Sequence, residues 1–343
     1  MNVRVAVTAV LLAGLVMPVV TWSAGAAADE RTGVHFDWVE AAPTVVPPPR
    51  DAAGMAYDEG RGQVVMFGGL DWQSAQTLND TWTWDGRSWT AQTPADTPPA
   101  RFYATMVYDP ATRQVLLFGG LVATGGFDPD LWAWDGHDWR VVSSTGPSGR
   151  WGDAMAYDPV TRTVIMFGGS DLSGPHADTW SWNGTTWTQL NPTASPPACN
   201  LGAMIDDTSS HQVVLFGGYQ PTPLGDTWVW DGTTWTQMFP ATSPSPRWPD
   251  AFVYDRALHA GVVFGGLGTS SYLNDTWMWT GTAWTELQPP DSPPGRQGAA
   301  AAYDPEHGQV VMFGGFGQSS SLGDTWTYGR IATRDRSSES GDS

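Results

Sequence analysis

The chain is predicted to be all-β, a closed ring of six four-stranded blades, and three observations predict it. Phe-Gly-Gly recurs at Phe67, Phe118, Phe167, Phe216, Phe264 and Phe313, in steps of 51, 49, 49, 48 and 49 residues. Aromatic pairs two residues apart recur with the same period, from Trp82/Trp84 to Trp326/Tyr328. Gly and Pro make up 40 and 27 of the 343 residues, as expected of short strands joined by turns. A period near fifty marks a supersecondary unit that cannot bury its faces alone, and a ring of such units is a β-propeller.

The third unit shows each element in order. Arg150 to Tyr157 reads as a first strand, and Asp158 to Arg162 as its turn. Thr163 to Phe167 is a continuously apolar second strand, the pattern of a strand buried on both faces. A variable loop leads to Asp178-Thr179-Trp180-Ser181-Trp182, a third strand whose two rings share one face at period two. Asn183-Gly184 is a tight-turn signal, because a two-residue hairpin needs positive φ. A fourth strand follows around Trp187, then a Pro/Ser/Thr-rich link to the next unit. An Asp precedes the third-strand aromatic in every unit (Asp80, Asp130, Asp178, Asp226, Asp275, Asp324) and is expected to bond nearby backbone N–H groups.

The sixth unit lacks its own fourth strand. His35 to Glu40, followed by Pro47-Pro48-Pro49-Arg50, matches the missing piece, so the N-terminal strand is expected to complete the last blade and close the ring. The expected organisation is a secretory signal at 1–28, the propeller at 29–330 and a disordered polar tail at 331–343. The signal rests on Arg4, the apolar run Val5 to Val20 and the small residues Ala24 to Ala28. It implies a secreted, extracellular protein with no membrane span once removed, and a monomer is expected.

The net charge of −19 without a basic stripe excludes a nucleic-acid surface. Cys199 is the only cysteine, which excludes an intrachain disulfide and a cysteine zinc cluster. No metal and no cofactor is expected.

The units resemble kelch repeats in their extracellular bacterial form, like the central domain of galactose oxidase. Gly-Gly after an apolar strand, the later aromatic and Trp, and a link Arg (Arg50, Arg101, Arg150, Arg247, Arg296) carry the resemblance, with Cys199 in place of the Arg in the fourth unit. It covers roughly residues 35 to 330 and implies the fold. Kelch propellers include binding modules, an oxidase and an epimerase, so it leaves function open. A galactose-oxidase copper site would need paired histidines. The six here sit at scattered repeat positions, and no pair has metal-ligand spacing.

Subtracting the repeat leaves two departures. Arg-Trp-x-Asp occurs at 150–153 and 247–250, so Trp151 and Trp248 stand where the other units carry Asp51, Phe102, Asn200 and Gln297, and Asp153 and Asp250 where they carry Ala53, Ala104, Gly202 and Ala299. These stretches begin first strands, at the mouth of the channel. The variable second-to-third-strand loops, with Trp72, Phe127, His176, Tyr219, Tyr272 and Phe316, open on the same face. Aromatic faces beside carboxylates suit a neutral sugar or a cationic peptide. The leading expectation is a non-catalytic module binding a glycan or an extracellular protein through Phe102, Trp151, Asp153, Asn200, Trp248 and Asp250. The alternative is a carbohydrate-active enzyme (epimerase, lyase or hydrolase) using Asp153 and Asp250 as an acid/base pair.

Overall fold

A computed structural model describes residues 28–29 and 34–332. Blade 1 is an antiparallel sheet of Gly54–Asp58, Gln63–Phe67, Thr81–Trp84 and Trp89–Gln92 in that spatial order. The pattern repeats five times, with first strands Arg101–Asp109, Trp151–Asp158, Ala203–Asp207, Ala251–Asp255 and Ala300–Asp304. First strands of consecutive blades neighbour one another from blade 1 to blade 6 and back to blade 1, so the sheets form a ring around a channel.

The N-terminal strand closes that ring. Val34–Ala41 is the fourth strand of blade 6 and pairs antiparallel with Thr325–Ala332, from Val34 opposite Ala332 to Ala41 opposite Thr325. The last strand therefore runs through Ile331 and Ala332, two residues into the segment expected as a tail, because Val34 and His35 are there to pair with them. Residues 333–343 and residues 1–27 of the expected signal lie outside the described residues.

Among the described residues the core is divided rather than central. Six apolar clusters fill the six seams between adjacent blades, as where Ala56, Val65 and Phe67 of blade 1 meet Met106, Leu117 and Trp134 of blade 2. The Phe-Gly-Gly motif is a seam device. Gly68 has φ +66°, and a Cβ there would stand 2.6 Å from the backbone oxygen of Arg101 in the next blade. Only glycine permits that approach. Fourth-strand tryptophans cross the same seams: Trp139 Nε1 donates to Thr81 Oγ1 of blade 1 at 2.9 Å, and Trp38 Nε1 to Thr276 Oγ1 of blade 5 at 3.0 Å. Both rings of each third-strand pair join one cluster, but only the second, such as Trp182, is fully buried; the first, such as Trp180, is half-exposed.

The conserved geometry of the link arginines corrects the role expected for the third-strand Asp. Arg50, Arg101, Arg150, Arg247 and Arg296 are all buried. Arg150 donates through Nε to Ser148 O and through Nη1 to Gly168 O, and grips Asp178 with both Nη atoms at 2.6 and 3.1 Å. Asp80, Asp275 and Asp324 are held the same way. A planar guanidinium matches a carboxylate with two parallel bonds, so the Asp is held chiefly by Arg and a Trp indole. Burial pushes these carboxylates up, but the facing arginine holds Asp80, Asp178, Asp275 and Asp324 below the usual range. In blade 2 the partner is Asp128 instead of Asp130. In blade 4, Cys199 offers no guanidinium. Asp226 accepts from Gln237 instead, at 3.2 Å, and Trp228 Nε1 finds no acceptor among the described residues.

Candidate functional site

The clamped arginines fix the three residues that follow them at one mouth of the channel. Backbone bridges of Asp51 to Leu70, Asn200 to Tyr219, Trp248 to Leu267 and Gln297 to Phe316 tie this mouth to the variable loops, as the sequence predicts. Two places after the link residue the backbone turns left-handed, at Ala52 (φ 54°), Tyr103 (φ 56°), Gly152 (φ 64°), Leu201 (φ 57°) and Gly298 (φ 68°). Several of these residues join across blades: Ala52 N–H donates to Gly298 O at 2.7 Å, Tyr103 N–H to Ala52 O at 2.8 Å and Leu201 N–H to Gly152 O at 2.6 Å. The result is a backbone collar that narrows the channel. Pro249 has no N–H to offer the preceding blade, and at the next link Gly298 N–H donates to the Asp250 side chain, at Oδ1.

Trp151 and Trp248, from blades 3 and 5, are brought together by a residue the sequence reading passed over. The Tyr103 ring lies 5.4 Å from that of Trp151, 5.9 Å from that of Trp248 and 5.3 Å from that of Phe102. All four are partly exposed. Tyr103 could have been found, since its position is Ala, Gly, Leu or Pro in the other blades. A second aromatic group extends the face: Phe316 lies 6.0 Å from Trp72 and 6.3 Å from Tyr272, and Trp72 is 53% exposed.

The polar groups here are unusual for their lack of partners. Asp153 is buried against Gly119 of blade 2, and neither of its carboxylate oxygens has a hydrogen-bond partner among the described residues. Asp250 Oδ2, Asn200 Oδ1 and Asp51 Oδ1 are likewise sealed and unpartnered. Burial pushes Asp153 up to about 7, against the pull of Arg150, and Asp250 well above the ordinary carboxylate value. It also pushes Asp51 up to about 6, partly offset by the Trp72 indole N–H at 3.1 Å. Asp153, Asp250, Tyr103 and Trp248 line a small cavity of about 130 Å³ inside the collar. Of the six predicted site residues, Phe102, Trp151 and Trp248 thus present partly exposed rings at this mouth, while Asp153 and Asn200 are buried behind them and Asp250 Oδ1 is committed to a backbone amide.

The larger cavity, about 400 Å³, opens at the opposite mouth, where first strands end in turns. Met55, Met106, Met155 and Met204 line it. Around it stand Tyr57, Tyr108, Tyr157, Tyr254 and Tyr303, one from each blade but the fourth, which places Asp206 in the ring. Burial pushes Asp206 up to about 7, against the pull of Arg256. Arg256 is engaged with Glu59 of blade 1. The signal was present as Tyr-Asp at the end of five first strands and Asp-Asp at 206–207, a departure from the repeat as clear as Arg-Trp-x-Asp. Among the described residues, no three His, Cys, Asp or Glu side chains are grouped to hold a metal ion.

The sequence matches the model of the KLHDC2/KLHL20/DRC7 Kelch-repeats domain over residues 85–236 and again over 185–334, together more than half of the chain. No curated protein matches it.

Proposed function

The chain belongs to the Kelch-repeat propellers, and from that premise we propose that it is a secreted, non-catalytic module that binds a glycan or an extracellular protein segment at its loop-face mouth. Membership of this family suggests a protein-interaction or recognition module. The observation that supports this mouth is the convergence of Trp151 and Trp248 on Tyr103, with all three rings partly exposed. Rings that pack against one another lose little side-chain freedom on binding, so they suit anchors at the centre of an interface. They offer apolar faces to sugar C–H groups or to a peptide stem, while Trp72 beside Phe316 enlarges the patch.

The experiment is a glycan and peptide array on the full chain, followed by calorimetry of the hits. Trp151→Ala and Trp248→Ala should each weaken binding more than tenfold, about 1.4 kcal/mol, with the fold retained. Affinity unchanged in both variants would sink the loop-face assignment. Calorimetry is the right readout because 21 tryptophans swamp any fluorescence change.

One observation favours the enzyme alternative. Neither Asp153 oxygen has a partner among the described residues, burial raises it to about 7, and it lines the small cavity, so a rearrangement that opens that cavity to a sugar would give it a proton-transfer role. Turnover of an array hit that disappears in Asp153→Asn while binding persists would establish that reading. Asp250 would then serve to position rather than to exchange protons, since Oδ1 accepts from Gly298 N–H.

A further inference from the structure

The turn-face cavity is a second, separate feature. Its floor is thioether and its rim is phenol, from Met55, Met106, Met155 and Met204 below and four half-exposed tyrosines above. Soft sulfur and aromatic faces carry negative potential and attract a cation without demanding hydrogen bonds from it. The fifth tyrosine, Tyr254, is 6% exposed and its hydroxyl has no partner among the described residues. The sixth position is the carboxylate of Asp206. The one cationic side chain lining the cavity, Arg256, is already bonded to Glu59. The lining acids thus outnumber the lining bases, with Asp206 and Glu59 against Arg256. Glu306 stands just outside, beside Gly62, and adds to the burial and the Asp304 charge that raise the Tyr57 hydroxyl. At about 400 Å³ the cavity is within the size range of small-molecule sites.

We propose that the turn-face end of the channel binds an alkylammonium group, on a free polyamine or on a lysine side chain, with Asp206 as counter-ion and the tyrosine ring and methionine floor enclosing the stem. The other five blades each supply a tyrosine there, and the fourth supplies the carboxylate that faces the ammonium, Glu59 being engaged by Arg256. This site shares no residue with the loop-face mouth, so either assignment can fail without the other.

The test is calorimetry of the full chain with three probes. Cadaverine represents a free diamine, capped Gly-Lys-Gly a lysine side chain, and 1,5-pentanediol the neutral isostere of cadaverine. Saturable binding of cadaverine or of the peptide, with the diol at least tenfold weaker, is the expected result, and the tighter of the two identifies the source. Asp206→Asn should cost tenfold or more, about 1.4 kcal/mol, while Asp153→Asn leaves binding unchanged. Should Asp206→Asn fail to fold, Tyr57→Leu at a half-exposed position reads the same site and should weaken binding several-fold. The proposal is overturned by no saturable binding of either ammonium probe up to about 10 mM. Equal binding of the diol, or Asp206→Asn binding like the wild type, overturns it as well.

Discussion

Trp187 is the one fourth-strand tryptophan whose indole N–H has no acceptor among the described residues. The cause lies one blade away: Leu131 starts the third strand of blade 2, where the other blades have Thr81, Thr179, Thr227, Thr276 and Thr325. Those five threonines each accept from a tryptophan of the next blade at 2.9 to 3.0 Å. Thr179→Val keeps the shape and removes the acceptor, leaving Trp235 Nε1 buried and unpaired. It should lower stability by about 1–3 kcal/mol in chemical denaturation, and no change would mean the seam bonds carry no stability. Single residues were also where the sequence was least legible. The period identified the third-strand Asp and the link Arg as repeat positions, but their mutual clamp spans 28 residues, as from Arg150 to Asp178, and no local pattern announces it. Tyr103 and Asp206 were visible as departures from the repeat, yet only the closed ring shows what they face.

At the scale of the strand, the reading succeeded because each blade advertises itself locally. Apolar runs such as Val64 to Phe67, period-two aromatics and Asp-Gly turns all depend on neighbours within ten residues, and the observed strands follow them. The N-terminal strand was recognisable because it carries the same Trp and the same link Arg as its counterparts, detached from its blade. Trp38 is 1% exposed, contacts the Phe264 and Tyr328 rings at 5.0 and 5.1 Å, and donates to Thr276 of blade 5. Deleting residues 35 to 40 therefore removes a strand, a seam bond and part of a core cluster together. Thermal melting should show a sharp drop in Tm or loss of the cooperative transition, since Trp38→Ala alone is worth about 3–5 kcal/mol. An unchanged melt would mean that the ring does not depend on this strand.

Across the whole molecule, buried carboxylates set an acid optimum. Asp51, Asp153, Asp206 and Asp250 are all raised by burial, so between about 3.8 and about 7 the folded chain binds more protons than the unfolded one. Their stabilising effect is complete below their unfolded values and is lost as pH climbs through the folded ones. Asp80, Asp178, Asp275 and Asp324 act oppositely: held low by arginine, they stabilise above their unfolded value and lose that effect in strong acid. Tm should therefore be highest near pH 4–5 and fall toward pH 8, helped down by self-repulsion of a strongly negative chain. Asp153→Asn isolates one contribution: it should stabilise at pH 8 by up to roughly 4 kcal/mol and by little at pH 4. Equal shifts at both pH values would refute a raised Asp153. The closing strand has a further consequence, in time rather than in space. Val34 and Ala332 pair across nearly the whole length of the described chain, so Val34–Ala41 waits for the last described strand. Until then Val34–Ala41 has no strand of blade 6 to pair with and Trp38 has no pocket, so the growing chain carries an unpaired strand edge and an exposed indole through most of its synthesis. Ring closure thus spans the largest sequence separation of any strand pairing among the described residues, and an unclosed ring is the state open to misassembly with a second copy.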